Sequence, residues 1–196
     1  MAHGTNTPRL TPIEPPYDPE IAKLLERMMG GPAIPPLKLF RTLAHNPTLL
    51  DKFRGVGTYL LNFGTLDPRD REIVIHRTCA RCGSEYEWGV HALFYGGRIG
   101  LSQNEIEATV PCVRDDSVLS DRQKLLIRLV DQLHETSQVS DELWDDLQAG
   151  WTPAQLVELL YLVGQYHTVS YLTNALRVVL EERAPRFPQP RLPNRI

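Results

Sequence analysis

Apolar residues recur along this chain every three or four positions, in stretches separated by proline- and glycine-containing breaks. That pattern predicts a succession of amphipathic helices. Ile21, Leu24, Leu25 and Met28 place a short helix over 19–29, ended by Gly30-Gly31-Pro32, with Pro35-Pro36 reopening the chain as a linker. A second helix is expected over 37–44, stopped by Asn46-Pro47, and a third over 48–63, burying Leu49, Leu50, Phe53, Val56, Leu60 and Leu61. Gly64 closes it. The fourth starts at Asp67-Pro68, a cap followed by proline at the first helical position, and runs to about Ala80 with a break near Gly83. Ser84-x-x-Glu87 reads as a capping box that opens a fifth helix reaching Gly96-Gly97.

Cap signatures then repeat: Ser102-x-x-Glu105, Ser120-x-x-Gln123 with a helix to about Glu135, Ser140 with one to about Leu147, and Thr152-Pro153-x-Gln155. The last helix is expected to continue to about Glu182 and to bend near Gly164. No stretch alternates with period two, and the spacing around Val178-Val179 stays helical, so the fold class is all-α. Leu66-Asp67-Pro68-Arg69 is echoed 53 positions later by Leu119-Ser120-Asp121-Arg122, and Gly100-Leu101-Ser102 is echoed 50 positions later by Gly150-Trp151-Thr152. Those offsets hint at a duplicated helical unit in which only the first copy keeps the chemistry, because the counterpart of Glu72 is Leu125.

The organisation expected is a lead-in over 1–36 that holds one short helix, a helical domain over 37–182 and a tail over 183–196. The tail carries Pro185, Pro188, Pro190 and Pro193 among arginines, so it is not helical. It lies extended against a neighbouring subunit or is disordered.

Composition narrows the function classes. At 196 residues the chain can bury a sizeable core as one domain. With 21 basic against 24 acidic residues and a net charge of -3, nothing points to nucleic acid or an anionic membrane as partner. Three cysteines do not make a secreted disulfide framework. No basic-then-apolar leader and no apolar run of membrane-spanning length is present, so a cytoplasmic protein is expected.

The usable chemistry gathers between Arg71 and His91. Glu72, His76 and Cys79 share one face of the fourth helix; Ser84, Glu87, Trp88, His91, Phe94 and Tyr95 share a face of the fifth. Tyr86, Val90 and Leu93 make the fifth helix apolar on another side, so it is buried and Glu87 and His91 need partners. A carboxylate and an imidazole held in an apolar site form an acid/base pair; the alternative is a capping box beside a satisfied core histidine. Cys79-x-x-Cys82 is either a redox dithiol, with Arg77 and Arg81 as the available cations, or a pair of small packed residues. Its place at a helix C-terminus opposes a thiolate. No zinc-ligand spacing is present, and neither a metal nor a cofactor is expected. Cys112 reads as structural, and His167 either faces the pocket of His91 or lies on a polar helix face.

These residues resemble the carboxymuconolactone decarboxylase and alkylhydroperoxidase D family, whose redox members carry Glu-x11-Cys-x2-Cys-x3-His. Anchored on His91, the pattern puts its glutamate at Glu72 and its cysteines at Ser84 and Glu87, so both cysteine positions depart from it. Cys79-x-x-Cys82 is displaced by five residues. Leu39-Phe40-Arg41-Thr42-Leu43-Ala44, Glu85-Tyr86-Glu87-Trp88 and Gly100-Leu101-Ser102 extend the likeness over roughly 37–180. The resemblance implies an all-α fold, assembly as trimers or hexamers with the site near subunit contacts, and either decarboxylation of a lactone acid or thiol-dependent peroxide reduction.

The preferred expectation is a cofactor-free lyase acting on a small carboxylated or lactone substrate. Glu72 and His91 move protons, Glu87 orients His91, Ser84 joins the catalytic set, and Tyr86, Trp88 and His167 shape the pocket. A thiol peroxidase using Cys79 and Cys82, and a non-catalytic oligomeric binding protein, are the alternatives.

Overall fold

The structure, a computed structural model, describes residues 7–189. Its helices are α1 (Pro19–Met29), α2 (Lys38–Leu43), α3 (Pro47–Asn62), α4 (Pro68–Arg81), α5 (Glu85–Phe94), α6 (Gln103–Ala108), α7 (Asp121–Thr136), α8 (Asp141–Gly150) and α9 (Pro153–Leu176). Short 3-10 turns link α5 to α6 and α6 to α7, and no strand occurs among the described residues. The all-α expectation holds. No described helix is long and apolar enough to cross a membrane.

Among the described residues, contacts divide the chain into two compact units, 7–64 with 171–182, and 65–170 with 183–189. In the first, α1, α2 and α3 pack on one another, with Leu24, Leu25, Leu39 and Leu50 buried. The backbone N–H of Lys38 donates to Glu181 Oε1 at 2.6 Å, which fixes the start of α2, where Leu37 supplies no side-chain cap.

The second unit is built on α4, whose residues are buried without interruption from Asp70 to Cys79. A helix so enclosed is covered on every side, and its polar groups must find protein partners. α5 and α7 pack against it, and α8 packs on α7. Ile73, Ile75, Leu126, Ile127, Leu129, Leu143, Leu147 and Leu159 fill the core between them.

The two sequence echoes make equivalent contacts. Arg69, in the first turn of α4, donates Nη1 to the carbonyl of Gly100 ahead of the Ser102 cap of α6. Arg122, in the first turn of α7, donates Nη1 to the carbonyl of Gly150 at 3.0 Å, ahead of the Thr152–Gln155 box of α9. Each arginine thus ties the start of one helix to the loop that starts another. This is the physical content of the duplication hint.

Two boundaries differ from expectation. α9 stops at Leu176 rather than near Glu182, because Arg177 takes φ 53 and the N–H of Val178 donates back to Thr173 O at 2.9 Å. Local turn chemistry ended a helix that apolar spacing alone would have continued. The tail residues 183–189 run without helix and pack on α5 of their own chain: Phe187 N–H donates to Glu85 Oε1 at 2.9 Å, and its ring lies 5.4 Å from that of Trp88. These tail residues dock on their own chain; Pro190 and Pro193 lie outside the described residues.

Candidate active site

Between α4 and α5 the backbone must reverse within a few residues, and Gly83, at φ +66, supplies the left-handed conformation that a side chain would resist. The turn brings the inner faces of the two helices together. His91 Nδ1 donates to Glu72 Oε2 at 2.7 Å. Glu72 is 0% exposed and His91 3%.

Arg71 closes the other side of the carboxylate, its Nε donating to Glu72 Oε1 at 3.1 Å. His76 donates Nδ1–H to the backbone carbonyl of Glu72 at 2.7 Å and sets its ring edge-on to those of Trp88 and His91. The far nitrogen of His91, Nε2, faces the Tyr166 hydroxyl at 3.1 Å and Glu87 Oε1 at 3.4 Å. Tyr95 stacks on the same imidazole with ring centroids 4.9 Å apart. One end of His91 is therefore anchored and the other presented.

Burial alone would drive the His91 proton off, but the charge of Glu72 and hydrogen bonds to Glu72 and Glu87 outweigh it, raising the pKa from 6.5 to about 9. Burial likewise pushes the Glu72 carboxyl up, yet His91, with smaller help from His76 and Arg71, brings it below its ordinary value. The resting pair is carboxylate and imidazolium. His76 goes the other way, to about 4, because burial dominates it, and it stays neutral. Burial, reinforced by the nearby carboxylates of Glu87 and Glu72, raises the Tyr166 hydroxyl well above its usual value, so it remains a donor.

The other expected site residues are placed as follows. Ser84 is the buried N-cap residue of α5 but makes no side-chain cap, so the Ser84–Glu87 capping box is not formed. Glu87 is turned to His91, one helical turn on, instead. Tyr86 and Trp88 are buried on α5, and Trp88 reaches the dyad only through His76, its Nε1 donating to Thr109 Oγ1 at 3.1 Å. His167 does not join His91; its Nε2 meets His134 Nδ1 at 3.0 Å. Its neighbour Tyr166 is the one that arrives, since adjacent helical residues point about 100° apart.

The dithiol is not activated. Cys79 is fully buried, and burial, joined by the charges of Glu87 and Cys82, raises its pKa well above the usual thiol value. Burial also raises Cys82, only partly opposed by Ser170 and Arg81. Arg77, expected to be an available cation, is committed to Asp131 at 2.8 and 2.7 Å and to Thr109 O at 2.9 Å. An open polar groove elsewhere in this unit, walled by Arg69, Glu105, Arg122 and Gln123 among others, includes none of the dyad's residues.

No family model and no curated protein matches the sequence. Among solved structures, the chain is similar to an uncharacterised peroxidase-related protein from Silicibacter sp. TM1040, with TM-score 0.72 and 15% identity over 89% of this chain and 93% of that one. It is also similar to a protein of unknown function from Agrobacterium tumefaciens, described as a candidate antioxidant defence protein AhpD, with TM-score 0.64 and 16% identity over 71% of this chain and 94% of that one. At such identities the likeness establishes a shared AhpD-like helical fold.

Proposed function

We propose that this AhpD-like chain is a cofactor-free acid/base enzyme of the carboxymuconolactone decarboxylase and alkylhydroperoxidase D family, a lyase acting on a small carboxylated or lactone substrate. The observation that carries this reading is the polarity of His91: Nδ1 is bound to Glu72 at 2.7 Å, and Nε2 is directed at Tyr166 and Glu87. Glu87 and Tyr166, which face Nε2, are 7% and 5% exposed, and in this reading substrate approaches from the Nε2 side.

In this reading the substrate's carbon–carboxylate bond breaks, carbon dioxide departs, and the electron pair stays on the carbon as a dienolate. His91 delivers its Nε2 proton to that carbon and is left neutral; solvent returns the proton. Glu72 keeps its charge throughout and holds the ring in register. Tyr166, protonated, donates to the enolate oxygen where charge builds. Glu87 orients His91, and Ser84 sits at the head of the helix that bears both.

The second reading, thiol-dependent peroxide reduction through Cys79 and Cys82, draws its support from what the two structural neighbours are called. The raised thiol pKa values weigh against it, because the thiolate is the nucleophile.

The test is a screen of small keto, lactone and carboxy acids for carbon dioxide release, repeated with His91→Gln. Loss of a positioned general acid lowers kcat by about 10²–10⁴-fold, with circular dichroism unchanged. Full turnover by His91→Gln would sink the assignment.

A further inference from the structure

Three ligand-type side chains that the acid/base network leaves unused meet in another part of the second unit. Cys82 is the C-cap residue of α4, His134 lies in the last turn of α7, and His167 lies on α9. His134 Nδ1 is 3.0 Å from His167 Nε2 and 3.9 Å from Cys82 Sγ. One ligand atom from each residue lies within 4.8 Å of the others, and all three residues are half-buried.

The geometry is close to what a tetrahedral ion requires. Zinc bonds of about 2.0–2.1 Å to nitrogen and 2.3 Å to sulfur set nitrogens roughly 3.3 Å apart and nitrogen and sulfur roughly 3.6 Å apart. Two of the three separations, 3.0 and 3.9 Å, lie within a few tenths of an ångström of those values, and the third pair, Cys82 and His167, lies within 4.8 Å. The tautomer is suitable as well. His167 donates Nδ1–H to the Val163 carbonyl at 2.9 Å, which leaves the lone pair of Nε2 facing His134. A carbonyl holding the far nitrogen is the usual support for a metal-binding imidazole.

The charges nearby are mixed. Asp131 and Glu135 share α7 with His134, and both are paired: Arg81 with Glu135 at 2.6 Å and with Asp131 at 3.6 Å, and Arg77 and Arg114 with Asp131 at 2.7 and 3.7 Å. One thiolate and two imidazoles suit zinc better than the harder cations that prefer oxygen.

We propose that Cys82, His134 and His167 form a binding site for a zinc-class divalent cation, leaving a fourth position for water. Three helices, α4, α7 and α9, supply one ligand each, so the ion would fasten them to one another in the folded chain only. Without an ion the same atoms form an imidazole–imidazole hydrogen bond with a thiol beside it; binding moves the bridging proton from Nδ1 to Nε2 of the neutral His134 ring and displaces the thiol proton. The site shares no residue with the proposed acid/base chemistry.

Cobalt(II) titration of the reduced full chain, in a Cys112→Ser background that removes the exposed thiol, tests the site. The expected result is one equivalent bound with a thiolate-to-cobalt charge-transfer band and d–d absorption of tetrahedral strength, both abolished by added zinc. Cys82→Ser should remove the charge-transfer band. His134→Ala and His167→Ala should each weaken zinc binding by more than the roughly 10–100-fold that loss of a supporting group costs. Zinc should raise the thermal midpoint of the Cys112→Ser protein and not that of Cys82→Ser. A folded Cys112→Ser protein that shows no such band, or a band that survives Cys82→Ser or both histidine substitutions, would overturn the assignment.

Discussion

Glu72 and His91, 0% and 3% exposed, share a 2.7 Å hydrogen bond across the turn between α4 and α5. The bond fixes where a proton resides, and so makes stability depend on pH in a defined sense. His91 is raised from 6.5 to about 9, so the folded state binds more protons than the unfolded state between those values. Its contribution is fully present below pH 6.5 and is lost as pH rises through 9. His76, lowered from 6.5 to about 4, acts oppositely, and its contribution is lost as pH falls from 6.5 to 4. Glu72, below its ordinary value, adds to the acid loss.

Urea unfolding should therefore show maximal stability near pH 6.5, falling on each side by at most about 1.4 kcal/mol per pH unit for each histidine. The alkaline arm belongs to His91, so His91→Gln should flatten the profile between pH 6.5 and 9 whatever its overall cost. A slope that persists in that variant assigns the arm elsewhere.

Removing the charge of Glu72 while keeping its shape separates burial from pairing. In Glu72→Gln the Coulomb attraction of Glu72 that raised His91 is gone, while the burial that lowers it and the Glu87 contact that raises it remain, so its pKa should fall from about 9. Nitrogen-15 spectra of the imidazole read this directly. Breaking a buried ion pair on one side should also cost about 3–5 kcal/mol, because Arg71 and His91 lose their shared partner. A His91 titration left near 9 would mean that the anion stabilising it is Glu87.

The thiols offer a test of the peroxidase reading that needs no substrate. Cys112 is exposed, Cys82 half-buried and Cys79 buried. An aromatic disulfide reagent at pH 7 should label Cys112 first, Cys82 slowly and Cys79 only on unfolding, and brief peroxide should leave Cys79 and Cys82 as thiols by mass spectrometry. Rapid, reversible formation of a Cys79–Cys82 disulfide would favour peroxide chemistry over decarboxylation.

Most helix starts were legible because a cap is a local device. Asp67 before Pro68, Ser102 with Glu105 and Ser120 with Gln123 all act as their spacing implies. The Glu72–His91 pair was also visible, since each residue sits on a periodic face beside a marked turn. What the sequence hid was set by distant partners. Tyr166 meets His91 from 75 positions away. His167 meets His134 while Tyr166 beside it meets His91, because one position on a helix turns a side chain by about 100°. Its meeting with His134 and Cys82 spans three helices, which no motif spacing encodes.

The docked tail yields a prediction that needs neither substrate nor metal. Gly89 lies on the face of α5 that receives residues 183–189, and a Cβ built there would stand 2.4 Å from the Pro185 carbonyl oxygen and 3.3 Å from Ala184 Cβ. The obstacle is backbone, not the tip of a flexible side chain, so the segment must move off α5 or the helix must shift. In an exposed helix, glycine to alanine stabilises by about 1 kcal/mol. Here overpacking should reverse the sign and destabilise by about 1–3 kcal/mol. Displacement also uncovers Trp88, on which Phe187 packs and which edges the His76 ring. Gly89→Ala should therefore redden Trp88 fluorescence and expose residues 183–189 to proteolysis. A variant more stable than the parent, with the tail as open to proteolysis in the parent as in the variant, would show that these residues do not rest on α5 in solution.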